Sequence, residues 1–175
     1  HNGPVDNLDL VESLIGVKKF KDMINFNTYP SLEAQISAIS DDIAYNNHDI
    51  QDGINANLFK LDELVEINFF RDIYKRYKNK INKNNYKIAT YQIIRDSIDL
   101  MIKDLINNTK NNLNHNKVKN VNDINKTRFL MVDFSDNIKN SDNEIRFFLK
   151  TKMYNNKNVL AKNNEGMSII KRLFK

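Results

Sequence analysis

Four polar residues in one stretch of this sequence share a spacing that suits chemistry. Asp41, Tyr45, Asp49 and Asp52 recur at intervals of four, four and three. An α-helix turns every ~3.6 residues, so they form one stripe along it. At a rise of about 1.5 Å per residue, Asp41 to Asp49 spans about 12 Å, a length that could follow a nucleotide from its phosphates toward its sugar. A carboxylate is a hard oxygen ligand for a divalent cation. A tyrosine offers a ring face and a hydroxyl, and a second carboxylate accepts hydrogen bonds from sugar hydroxyls. The plainer reading is that a polar stripe on an amphipathic helix is its solvent face.

The stripe needs a helix to carry it, and the flanking residues supply one. Ser31 after Pro30 is a good N-cap, and Glu33 suits the positive end of the helix dipole. Leu32, Ile36, Ile39 and Ile43 follow at helical spacing and form an apolar face beside the stripe. The pattern runs to about Asp52-Gly53, where glycine can end a helix.

Other elements follow the same logic. Leu8, Val11, Leu14 and Ile15 suggest a short helix ending at Gly16, after an Asn2-Gly3-Pro4 turn. Leu58 to Tyr77 reads as a second helical region, with Leu61, Leu64, Val65, Phe69, Ile73 and Tyr77 as its apolar positions. Lys78 to Lys87 reads as a loop, Ala89 to Asn108 as a helix, and Asn111 to Asn120 as a mobile Asn/Lys loop. Phe129 to Phe134 is strand-like or irregular, and helices are expected at Asp142 to Tyr154 and Gly166 to Phe174. The whole is mainly α, with little or no β.

Composition narrows the classes. The 175 residues suffice for one helical domain with a core. Only 4 Gly and 2 Pro argue against an all-β fold, which needs frequent turn residues. The absence of cysteine excludes disulfides, thiolate metal sites and a cysteine nucleophile, and fits a cytoplasmic protein. No apolar run approaches the roughly 18 to 20 residues that span a bilayer, and His1-Asn2-Gly3-Pro4 does not begin a signal peptide. The net charge of +5 is mild and scattered. Asn occurs 30 times; as a poor helix former, it reads as compositional drift with no functional meaning.

Beyond spacing, the blocks themselves carry a resemblance. Leu32-Glu33-Ala34-Gln35, Asp41-Asp42-Ile43-Ala44-Tyr45 and Asn47 to Gly53 resemble the "LEAQ…DxIAYxxHDxxDG" segment of the dGTP triphosphohydrolase family, in the HD-domain superfamily. His1-Asn2-Gly3-Pro4 resembles its "HNGP" stretch. Arg95 to Asp104 resembles its "R…IDxMxxD" helix. Glu144 to Leu149, Met153-Tyr154 and Ile169 to Phe174 resemble its "E(I/L)KxFL…MY…IIxxLF" pattern. The blocks occur in family order over essentially the whole chain, which is similar to the C-terminal part of that family.

The resemblance implies a multi-helix HD-domain-like bundle, with residues 1–110 the remainder of the HD core and 111–175 a C-terminal helical region. It implies cleavage of a dNTP between the α-phosphate and the sugar, with a divalent metal such as Mg or Mn. Asp41 would be the final ligand of a "His … His-Asp … Asp" set. Tyr45 would lie against the sugar or phosphates, Asp49 near the sugar 3′-hydroxyl, and Arg95 would reach a phosphate. Dimers or hexamers are common in the family, so self-association is expected.

His48-Asp49 spells "HD", but by the resemblance it is not the metal pair. Adjacent helical side chains point about 100° apart, so Asp49 is expected to face the pocket and His48 to be partly exposed. His115 falls in the Asn-rich loop, and no catalytic residue is assigned within the chain. The first His and the true HD pair are expected upstream of His1, leaving one metal ligand of four. A non-catalytic assembly or single-stranded nucleic-acid-binding module is the alternative, resting on Lys78 to Lys83 and Lys117 to Lys119, although stacking aromatics are sparse there. A decayed remnant of the enzyme is a third reading.

One carboxylate does not hold a catalytic metal, because such sites need several protein ligands. The 175-residue chain alone is therefore expected neither to bind a stoichiometric metal nor to hydrolyse dNTPs. Metal-dependent triphosphate release by the purified chain would overturn this.

Overall fold

A computed structural model describes Asp9, Leu10, Ser13 and residues 27–174. The HNGP block and most of the short helix expected around Leu8 to Ile15, with its stop at Gly16, lie outside the described residues. The fold is mainly α, as expected, and no strand occurs among the described residues. The elements are α1 (Leu32–Asn55), α2 (Leu61–Leu64), α3 (Asn68–Tyr74), α4 (Tyr86–His115), α5 (Val121–Asn125), α6 (Asp136–Leu149), a π-helical turn (Lys150–Tyr154) and α7 (Lys157–Leu173). They fall into two compact units, residues 1–42 with 105–134 and residues 43–104 with 135–175.

In the first unit, Gln35 organises the packing. Its Oε1 accepts from the Met131 and Val132 amides at 2.8 and 3.0 Å, and its Nε2 donates to the Pro30 carbonyl at 2.8 Å. Asn108 and Asn112 donate to the Asp133 and Met131 carbonyls at 2.9 and 3.0 Å. The segment 129–134 is thus irregular but tied down by side chains, with Met131, Val132 and Phe134 buried. Buried backbone must find partners, and here side chains supply them in place of a strand ladder.

The second unit holds the larger core. Ile50 of α1 shares one core cluster with Phe59, Leu61, Leu64, Phe70 and Ile73, with Ile93 and Ile94 of α4, and with Ile145, Phe148 and Leu149 of α6. Phe59 and Phe148 pack edge to face, with centroids 4.9 Å apart. No residue of α7 is buried.

Several boundaries differ from the sequence expectation. The first helix passes through Gly53 and ends at Asn55. Asn57 takes the left-handed turn (φ 54°), with Leu58 N–H donating to the Gly53 carbonyl and Asn57 N–H to the Ile54 carbonyl, a Schellman closure. Gly53 has another reason to be glycine: a Cβ there would sit 2.2 Å from the Phe59 ring. The Leu58 to Tyr77 region is two short helices, α2 and α3. Arg71 reaches back to the Val65 and Glu66 carbonyls at 3.2 and 2.8 Å, satisfying the break between them.

The α4 helix runs 30 residues and includes Asn111 to His115, which was expected to be loop. It closes with Lys117 in the left-handed region (φ 53°) and Val118 N–H on the Leu113 carbonyl. The next expected helix begins at Asp136 rather than Asp142, because Asp104 accepts from both the amide and hydroxyl of Ser135 at 2.8 and 2.7 Å and fixes its start. The last begins at Lys157 rather than Gly166. Asn156 caps it, and Gly166 lies within it with open space around its Cα.

Gly53→Ala is expected to lower stability by about 1–3 kcal/mol, the usual cost of overpacking a filled core. Denaturant unfolding should show part of that loss recovered when Phe59 is changed to Leu in the same chain. Equal stability of Gly53→Ala and the parent would refute the close approach.

Candidate functional site

The stripe expected from spacing is present on α1. Asp41 and Asp52 are exposed, Asp49 is half-buried, and Tyr45 is 68% exposed. The buried side of the same helix is the expected one only in part. Ile43 is buried as expected and Leu32 and Ile39 are half-buried, but Ile36 is 47% exposed, and Gln35, Asn46, Asn47 and Ile50 are buried as well. Amides must be satisfied when buried, and they are. Asn47 Nδ2 donates to the Ile43 carbonyl at 2.8 Å and faces Met101 Sδ at 3.9 Å, while its Oδ1 accepts from the Ser97 hydroxyl. Asn46 Nδ2 donates to Asp142 Oδ1 at 2.8 Å, and Arg146 Nε donates to Asp142 Oδ2 at 2.7 Å. Asp142 is thus buried but bonded on both oxygens.

These anchors set the rotation of this part of α1, and Asp49 then meets a partner from the far end of the sequence. Tyr154 donates its hydroxyl to the Asp49 carboxylate. The π-helical turn explains the arrival of Tyr154. Ile145, Phe148 and Leu149 face the core, and Asn155 N–H then bonds the Lys150 carbonyl at 3.1 Å, five residues back. This wider turn resets the side-chain phase, as π-turns do at functional sites. Lys152 on the same turn pairs with Glu63 at 2.6 Å. The Met153-Tyr154 block was legible by resemblance but carried no role; a pair 105 residues apart leaves no periodicity to read.

Tyr154 is pushed up to about 12, first by burial of its hydroxyl and then by the hydrogen bond and charge of Asp49, with Arg146 acting the other way. Arg146 is therefore close enough to act on the pair. This end of the unit combines a committed carboxylate, a neutral phenol, a guanidinium and the exposed Tyr45 ring. Such a set can bind hydroxyls and an anion.

His48 is exposed, one residue and about 100° around the helix from Asp49. Arg95 is also exposed and lines a hollow with His48 and Gln51, not with Asp49. Its neighbour Asp96 resists burial, which alone would raise its pKa. Hydrogen bonds from Tyr77 and Gln92, with the charges of Arg76 and Arg95, hold it below the usual carboxylate range. Among the described residues no three His, Asp or Glu side chains gather to hold a metal ion. Asp41 is thus a single exposed carboxylate, and the described residues do not by themselves fit a metal centre. Among the described residues, no helix is long and apolar enough to cross a membrane.

No protein-family model matches the chain. Curated relatives do. A "deoxyguanosinetriphosphate triphosphohydrolase-like protein" of Pelagibacter ubique (strain HTCC1062) is 62% identical over 174 residues, 99% of this chain and 47% of the relative. Proteins of the same description from Rickettsia prowazekii (strain Madrid E) and Rickettsia typhi (strain ATCC VR-144 / Wilmington) are 30% and 31% identical over 175 residues, 100% of this chain and 45% of each relative. Over essentially its whole length the chain is thus similar to the C-terminal part of deoxyguanosinetriphosphate triphosphohydrolase-like proteins. It spans about half the length of the curated relatives it matches.

The Tyr154 shift has a signed consequence. Its folded value lies above the ordinary 10, so its contribution to stability is complete below pH 10 and is lost as pH rises toward 12. Ultraviolet titration of the tyrosines should show the highest-titrating one vanish in Tyr154→Phe and move down toward 10 in Asp49→Asn. An unchanged titration curve in Asp49→Asn would remove the pair.

Proposed function

We propose that the full-length protein is a metal-dependent dNTP triphosphohydrolase. Water adds to the α-phosphorus, the bond to the sugar 5′-oxygen breaks, and deoxynucleoside and intact triphosphate leave. The observation that carries this reading is the Asp49–Tyr154 pair. It joins two separate blocks of the family pattern at one place, on the helix stripe that also bears Asp41 and Tyr45. The chain's relatives, deoxyguanosinetriphosphate triphosphohydrolase-like proteins by name, support the same reaction class.

Each residue has a part suited to its chemistry. Asp41 is one carboxylate ligand of the metal, completed by groups outside the described residues, and no step is derived through that ion. Tyr45, exposed one turn before Asp49, offers its ring face to the sugar. Asp49 accepts a hydrogen bond from a sugar hydroxyl on the oxygen that Tyr154 leaves available. Tyr154 stays neutral at physiological pH and so remains a donor. Arg146, held through Nε by buried Asp142, meets an anionic oxygen.

In a polypeptide extended to the length of the relatives, Asp41→Ala should abolish both triphosphate release and metal content. Asp49→Ala should lower kcat/KM for a dNTP by about 10²-fold, as loss of a hydrogen-bonded positioning group does. Undiminished turnover in Asp41→Ala would sink the assignment.

A further inference from the structure

The hollow on the other side of α1 has a composition of its own. It is about 330 Å³ and lies wholly within the second unit, in the groove between α1 and α4. Ile94, Ile98 and Ile102 form its apolar floor, and His48, Gln51 and Arg95 stand around it. Those three polar side chains make no hydrogen bond or ion pair with any described residue. Three of the same unit's four other arginines are engaged, Arg172 on the unburied α7 being the exception. Arg71 bonds two carbonyls and Asn68, Arg76 pairs with Asp96, and Arg146 with Asp142. Arg95 thus makes no hydrogen bond or ion pair, acts on neighbouring Asp96 only through its charge, and lines an apolar surface.

We propose that this hollow binds a small ring-bearing organic monophosphate, with Arg95 and His48 taking the phosphate and the isoleucine floor taking the organic body. The volume falls in the range of small-ligand sites, which pair an apolar lining with a few convergent polar groups. Arg95 presents a planar fork of donors that matches phosphate oxygens. His48 carries an N–H in either protonation state, and Gln51 adds an amide that both donates and accepts. The one carboxylate on the rim, Asp99, is engaged by Lys103 at 2.6 Å, which offsets its repulsion of an anion. Tyr91 closes one end, fixed by its hydroxyl on Asn55 at 3.3 Å, and Lys87 lies over its ring, adding positive charge. The site is separate from the one built around Asp49, and it does not depend on the proposed reaction.

Two-dimensional amide NMR of the full chain, titrated separately with deoxyadenosine monophosphate and with inorganic phosphate, tests this. The nucleotide is expected to shift the signals of residues 48–51 and 94–102 saturably, and inorganic phosphate to shift the same signals more weakly. Arg95→Gln, at an exposed position with no described partner, should fold and bind the nucleotide about tenfold more weakly, the effect of one charge-assisted hydrogen bond. Asp49→Asn should bind it as the parent does. The proposal is overturned by any of four results. These are no saturable shift, equal binding by Arg95→Gln, inorganic phosphate binding as tightly as the nucleotide, or shifts centred on Tyr45 and Tyr154 that Asp49→Asn abolishes.

Discussion

A buried amide must have hydrogen-bond partners, and the α1 helix carries three of them. Gln35, Asn46 and Asn47 are each less than a tenth exposed, so each turn that bears one has a single acceptable rotation. Gln35 works within the first unit, where it replaces a strand partner for Met131 and Val132. Asn46 and Asn47 work within the second, against Asp142 and Ser97. An apolar side chain would tolerate a small slip along the core, whereas an amide does not, because slipping leaves donors and acceptors unmet. The polar face of the helix is therefore aimed by what lies buried behind it.

That aiming matters because the functional groups are exposed and cannot hold themselves. Asp49 is steadied by Tyr154, and Tyr154 is placed by the wider π-helical turn after α6. Arg146 is steadied by Asp142, which Asn46 holds in turn. Arg146 in particular rests on a carboxylate behind it that is buried. Such backing reduces the reorganisation needed when a ligand arrives.

Much of this was visible in the sequence, and the misses share a cause. Periodicity located α1, the stripe from Asp41 to Asp52 and the mainly helical class, because these depend on local spacing. The same method placed the helix stop at Gly53, since a glycine near the end of a pattern is the usual signal. The true stop is the left-handed Asn57, and Gly53 answers to the Phe59 ring. Leu58 to Tyr77 reads as a single helical region because its apolar spacing continues across the break that Arg71 bridges with its side chain. The asparagine excess reads as drift, yet Asn46, Asn47, Asn108 and Asn112 each hold a specific group in place. Composition cannot separate these from the exposed asparagines, because the difference lies in residues tens of positions away.

The bareness of α7 bears on how the chain comes apart. A helix of 17 residues with no buried side chain draws little from tertiary packing, which is where most helical stability in proteins comes from. Its amides therefore open and exchange with solvent deuterium without waiting for the Phe59–Phe148 core to unfold, whereas the amides around Ile50 and Ile93 exchange only when that core does. Among the described residues, a protease meeting the folded chain finds susceptible bonds in the same stretch, just beyond Tyr154.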